Sequence, residues 1–141
     1  MTQVMTVEER EAFLNERRVG VIAVGRADRG PLAVPVWYRY ADGEVQVWIE
    51  RDSVKDKVLR KAGRFTLVAQ SEELPYRYVS VEGPVVAADA PPTREQAVAI
   101  AGRYLSPEEA DGYVDSALGE SSVLVRMRPE KWLSSDQGKT G

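Results

Sequence analysis

The chain has 141 residues, carries 19 Lys and Arg against 22 Asp and Glu, and contains neither Cys nor His. At this length a folded chain buries about 68–70% of the surface its unfolded form exposes, so one hydrophobic core is expected without disulfides. The missing residue types exclude thiolate nucleophiles, Ser-His-Asp triads, imidazole acid–base catalysis and Cys/His zinc sites, so no metal centre is expected and any redox chemistry falls to a cofactor. A net charge of −3 and a pI near 5.1 argue against a general nucleic-acid binder. The acidic opening MTQVMTVEEREAFL lacks the positive n-region and apolar run of a signal peptide. No stretch approaches the ~18 apolar residues of a membrane span, so a cytoplasmic protein with no membrane partner is expected.

Thr6-Val-Glu-Glu9 is a capping box, and Phe13 and Leu14 give the helix that follows, residues 7–17, its apolar side. Val19–Val24 is a short β-branched run. Turn residues Ala27–Gly30 lead to a second extended run, Pro31–Tyr40, which predicts a hairpin. Asp42-Gly43 is the next turn, and Glu44–Ile49 alternates polar and apolar as a half-buried strand does. Between Asp52 and Ala62 the period becomes helical, with Val54, Val58 and Leu59 on one face and Gly63 placed to end the helix.

Strand signals resume at Arg64–Ala69 and Tyr76–Ala88, the latter long enough to bend round a barrel with Gly83-Pro84 as its bulge. Thr93-Arg-Glu-Gln96 opens a helix to about Tyr104, and Ser106-Pro-Glu-Glu109 opens another. Ser122–Met127 reads as the last strand, and the polar residues from Ser134 on as a flexible tail. The expectation is one domain, residues 1–133, and a tail, residues 134–141. Its fold class is mainly β (α+β): six strands in a mostly antiparallel meander, curled into a small closed or split β-barrel with peripheral helices.

Two constellations bear on function. Residues 50–64 hold six basic side chains against three acidic ones, which leaves the rest of the chain six charges negative. Ser53 stands where a strand passes into a helix, and free amides there, with Lys55 in the first turn, suit an anionic group such as phosphate. The competing reading is a solvated helix face with i,i+4 pairs such as Asp56 with Arg60. The second constellation is aromatic: Trp37, Tyr38 and Tyr40 on one strand, Trp48 on the next, and Tyr76 and Tyr78 on another. Alternation puts Trp37 on the opposite face from Tyr38 and Tyr40, so some of these rings are core or dimer contacts and others could wall a planar heterocycle.

The order of elements, Leu32-Ala-Val-Pro-Val-Trp-Tyr38, Ser53-x-Lys55-x-x-x-Leu59-Arg60 and Tyr78-Val-Ser-Val-Glu-Gly83 together resemble the pyridoxamine 5'-phosphate oxidase-like superfamily of flavin and deazaflavin oxidoreductases. The resemblance covers about residues 7–133 and is nearest to the small single-domain reductases that use coenzyme F-420. It implies an FMN-binding-type split barrel and a homodimer. In that family the positions of Ser53 and Lys55 hold the cofactor phosphate and that of Arg60 supports the same region. The backbone of Trp48, Ile49 and Glu50 runs along the cofactor ring, Pro35, Val36 and Trp37 form the neighbouring wall, and the aromatic residue matching Tyr76 comes from the partner subunit. Val58 stands where many relatives carry Asn. The implied function is hydride transfer from reduced F-420 to an unsaturated small-molecule substrate, with FMN as the alternative cofactor and a non-catalytic flavin-binding protein as a further reading. Lys57, Arg60 and Lys61 extend the basic stretch beyond a single phosphate, which favours F-420 with its carboxylate tail. No catalytic residue is assigned. The proton would come from water or from a tyrosine such as Tyr76, and substrate contacts would come from loop 70–77 and the turn at 105–112. The His that haem-degrading relatives use is absent, as is the Arg/His pair that grips pyridoxal phosphate.

Overall fold

The computed structural model describes residues 3–139. The first helix, α1 (Val7–Asn15), starts as expected at a reciprocal capping box, with the Glu9 amide donating to Thr6 Oγ1 and the Thr6 amide to Glu9 Oε1. It ends two residues before the expected boundary. Eight strands follow among the described residues, where six were expected: β1 (Gly20–Val24), β2 (Leu32–Val36), β3 (Tyr38–Ala41), β4 (Glu44–Glu50), β5 (Arg64–Ser71), β6 (Arg77–Ala87), β7 (Ser122–Met127) and β8 (Lys131–Asp136). Between them lie α2 (Val54–Ala62), α3 (Arg94–Ala101) and α4 (Pro107–Ala117). Every pairing is antiparallel, but the order β2-β1-β5-β6-β7-β4-β3, with β8 added on β6, is not a meander. β5 returns to β1 rather than to β4, because α2 carries the chain across.

The two additional strands have separate causes. The run Pro31–Tyr40 is continuous in its strand signals, yet it breaks at Trp37: Val36 pairs with Gly20 at one end of the sheet path and Tyr38 with Val47 at the other. One residue therefore joins the two ends of the sheet, and this closes the barrel. The other addition is β8, which corrects the expected tail from 134. Ser134 pairs with Val79, the Met5 amide donates to Ser134 Oγ, and the Asp136 amide donates to the Gln3 carbonyl. Ser134 is buried, with its hydroxyl taken up by the Met5 amide, so its polarity does not mark a solvated tail. Residues 140 and 141, also assigned to the tail, lie outside the described residues.

The inside of the barrel is filled by alternate residues: Ile22 and Val24, Val45, Val47 and Ile49, Leu67 and Ala69, Val79 and Val81, Val123 and Val125. Tyr38 is wholly buried among them and donates its hydroxyl to the Leu14 carbonyl at 2.8 Å, which fastens α1 to the barrel. Each such side chain contributes about 1.5–3 kcal/mol of burial. Gly83 is required where β6 leaves β8 for β7, since a Cβ there would lie 1.8 Å from the Arg128 carbonyl oxygen. The expected bulge falls two residues later, between Val85 and Ala87, because Gly83-Pro84 forms the corner itself.

Candidate functional site

The outer face of β4 presents Gln46, Trp48 and Glu50, opposite to the core residues Val45, Val47 and Ile49. The α3–α4 hairpin covers part of it through Ala97, Ala101, Ala110 and Val114, against which Trp37 and Trp48 pack. Small residues let the hairpin sit close. Where it stops short of α2, a cavity of about 630 Å³ remains. Pro35, Val36 and Trp37 form one wall and Trp48, Ile49 and Glu50 another; Ser53 and Lys55 close the end at α2, and Val19, Ile100 and Tyr113 complete the lining.

The α2 end has a defined hydrogen-bond plan. Ser53 is the N-cap: its hydroxyl donates to the Glu50 carbonyl at 2.6 Å and accepts from the Asp56 amide at 3.2 Å. Asp56, 1% exposed, accepts from the Asp52 amide at 2.7 Å and from Arg60 Nε at 2.9 Å. Arg60 thus neutralises the carboxylate of the first turn and braces the turn at Asp52, whose φ is +63°. The amides of Val54 and Lys55 have no acceptor within the helix. Among the described residues no acidic side chain pairs with Lys55. An anion at this point meets two amides, the helix dipole and one ammonium group, with the adjacent acid already compensated.

At the other end four rings meet. Trp37 stacks on Tyr104, with centroids 4.9 Å apart and planes at 13°, and Tyr113 leans on both Trp37 (5.5 Å, 53°) and Trp48 (5.6 Å, 71°). Tyr113 is 42% exposed, and its hydroxyl has no protein partner among the described residues. Glu50 is fixed at the rim, where its carboxylate accepts from Ser121 Oγ at 2.8 Å.

Eight of the eleven residues singled out in the sequence line this one cavity: Pro35, Val36, Trp37, Trp48, Ile49, Glu50, Ser53 and Lys55. Lys57 faces a second cavity on the other side of α2. Arg60 is spent on Asp56. Tyr76 lies elsewhere in the chain, its hydroxyl donating to Gln70 Oε1 at 3.3 Å, so within one chain it does not reach the cavity. Sequence reasoning missed Val19, Ile100 and Tyr113. The residues 105–112 assigned to a substrate turn mostly belong to α4, and Tyr113 follows them on that helix. Its signal was an aromatic residue in a helix otherwise poor in large apolar side chains.

The curled, eight-stranded antiparallel sheet with a corner in β6 and helices between its strands has a split β-barrel fold. A scan of protein-family models finds no match, and a search of curated proteins finds none either. Solved structures do match. The conserved hypothetical protein Rv2991 from Mycobacterium tuberculosis is 26% identical and superposes with a TM-score of 0.82 over 98% of this chain and 89% of its own. An F-420 reductase is 20% identical, with a TM-score of 0.69 over 87% of this chain and 94% of its own. A FAD-binding protein from Mesorhizobium loti is 17% identical, with a TM-score of 0.63 over 95% and 96% of the two chains.

Proposed function

We propose that the first cavity binds a flavin-type cofactor, F-420 in preference to FMN, and that the protein is an oxidoreductase acting on an unsaturated small molecule. The observation that carries this reading is the joining, in one space of about 630 Å³, of an anion-accepting helix start at Ser53 and Lys55 to the apolar walls Pro35–Trp37 and Trp48–Ile49. A phosphate at one end and a flat ring system at the other fit this donor set. The structural likeness to an F-420 reductase and a FAD-binding protein agrees with it.

When bound, the cofactor would supply hydride for an electrophilic carbon of the acceptor. The chain's own part is positioning: Lys55 and the α2 amides hold the phosphate, and Trp37, fixed by Tyr104, and Trp48 set the plane against which ring and substrate stack. Tyr113, the free hydroxyl in the cavity, donates a hydrogen bond to the substrate oxygen. Tyr76 would take part only from a second subunit.

The homodimer belongs to the same proposal. Pro35, Val21, Val68, Ser80 and Leu133 lie side by side across five strands on the outer face of the sheet. Val21 is 39% and Leu133 62% exposed. Because Pro35 also lines the cavity, a subunit seated on this row would abut the site.

Titration of the purified protein with FMN and with F-420, followed by tryptophan fluorescence, tests the reading. Tighter binding of F-420 at low salt, and oxidation of reduced F-420 by a quinone or enone, are expected. Submicromolar FMN binding without F-420 binding would transfer the assignment to FMN, binding without turnover would leave a flavin-binding protein, and no binding of either would end it.

A further inference from the structure

Two side chains in the lining of the first cavity carry charge, and their signs are opposite: Lys55 at α2 and Glu50 at the end of β4. Among the described residues neither forms an ion pair, with the other or with a third group. The acid at the other end of β4 differs, since Glu44 is held by Arg126 at 2.8 Å. The Glu50 carboxylate is nonetheless fixed. Its Oε2 accepts from Ser121 Oγ at 2.8 Å, and the Arg51 amide donates to the Ser121 carbonyl at 2.6 Å. Ser121 lies in the connection from α4 to β7, so the chain that brings Tyr113 to the cavity also orders Glu50. Oε1 is left without a protein donor among the described residues. A surface glutamate ordinarily keeps its rotamer freedom; this one is ordered at a cavity rim and left without a counter-charge.

We propose that the Glu50 side chain, as distinct from the backbone of its strand, determines which acceptors the site takes: it selects planar carbonyl compounds that carry an ammonium or hydroxyl donor and rejects those that carry a carboxylate in the same place. The inference rests on the function proposed for the site but concerns the acceptor alone. Once a cofactor phosphate has taken up Lys55 and the α2 amides, Glu50 is the one charge left in the lining, and the acceptor meets a negative rim. Trp48 and Glu50 are two residues apart on one face of β4, about 6.6–6.8 Å along the strand. Tyr113 leans on Trp48 at 5.6 Å. A hydroxyl that donates and a carboxylate that accepts therefore flank the same stretch of wall, which suits a carbonyl oxygen and a donor group held roughly 6–7 Å apart. An ammonium group at Oε1 forms a charge-assisted hydrogen bond, whereas a carboxylate there meets like charge.

Calorimetric titration of the protein, cofactor-free and saturated with F-420, with 3-acetylbenzylamine, 3-acetylbenzyl alcohol and 3-acetylbenzoate tests it. The three are planar ketones of nearly equal size that differ in one substituent. With F-420 bound, the amine is expected to bind at least about tenfold more tightly than the benzoate, with the alcohol between them. Added salt should narrow the span, because Glu50 is exposed. Glu50→Gln, which can still accept from Ser121, should bring the ratio of amine to benzoate within about threefold. Glu95→Gln, an equal change of net charge at the exposed start of α3, should leave the ratio as in the parent protein. Equal binding of amine and benzoate, a ratio that survives Glu50→Gln, or failure of all three ketones to bind overturns the proposal. So does a Glu50→Gln variant that loses affinity for F-420 with the ratio unmoved, since the carboxylate would then serve the cofactor. If F-420 itself does not bind, the cofactor reading falls separately, and the change of ratio on Glu50→Gln in the cofactor-free protein still decides the role of Glu50.

Discussion

The ring of Tyr104 lies flat on that of Trp37, and its hydroxyl donates to the Arg18 carbonyl at 2.6 Å while accepting from the Tyr38 amide at 3.2 Å. The residue that closes the barrel is thereby locked to the loop between α3 and α4. Tyr104→Phe keeps the stack but leaves the buried Tyr38 amide without this acceptor, which costs about 1–3 kcal/mol. Urea unfolding should show that loss, while the quenching of tryptophan fluorescence by cofactor stays as in the parent protein.

Lys55→Ala removes the cation that lines the cavity beside the anion-accepting amides, and cofactor affinity should fall by about 1.5–3 kcal/mol with the fold intact. The exposed Lys131 is a suitable control. Lys139 is not, because its ammonium donates to Glu9 Oε1 at 2.7 Å and to the Val4 carbonyl at 3.0 Å, which ties the chain ends together. Equal binding by Lys55→Ala and Lys131→Ala would return the start of α2 to an ordinary solvated helix face.

The exposed row on the sheet predicts a particle of about twice 15.7 kDa in sedimentation. Val21→Glu places a charge at the middle of that row, where burial against a second subunit would leave it unpaired, and should yield folded monomers. A parent protein that sediments as a folded monomer at micromolar concentration would rule out both the dimer and a partner contribution at Pro35.

Much of this arrangement is legible in the sequence because its causes are local. The capping residues Thr6, Ser53, Thr93 and Ser106 each sit where their side-chain oxygen accepts from the amide three residues on. The alternation of β4 places Trp48 and Val47 on opposite faces without any knowledge of the partner strands. What could not be read is what depends on distant pairing. The break at Trp37 is set by which strands flank β2 and β3, and the strand status of Ser134 by Val79. Lys55 and Lys57 are two residues apart in a basic run, yet they face different cavities because 100° per residue turns them away from each other. Tyr113 stands out in its helix as an aromatic residue, but it enters the site only through the packing of the α3–α4 hairpin against Trp37 and Trp48, which its own segment does not encode.

Tyr40 donates its hydroxyl to Glu11 Oε2 at 2.7 Å, and its pKa is pushed up to about 12, by burial first and by this hydrogen bond second. Burial raises Tyr38 and Tyr104 as well. In the unfolded chain a tyrosine ionises near 10.0, so above that pH the unfolded state loses protons that the folded state retains. The stabilising contribution is therefore complete below pH 10 and disappears as the pH rises towards 12. The urea midpoint should fall across this window, and tyrosinate absorbance of the native protein should lag behind that of the unfolded chain. Tyr40→Phe should make the fall shallower without abolishing it, because Tyr38 and Tyr104 still resist ionisation. An unchanged slope in that variant would show that the hydroxyl bound to Glu11 is not what alkali attacks.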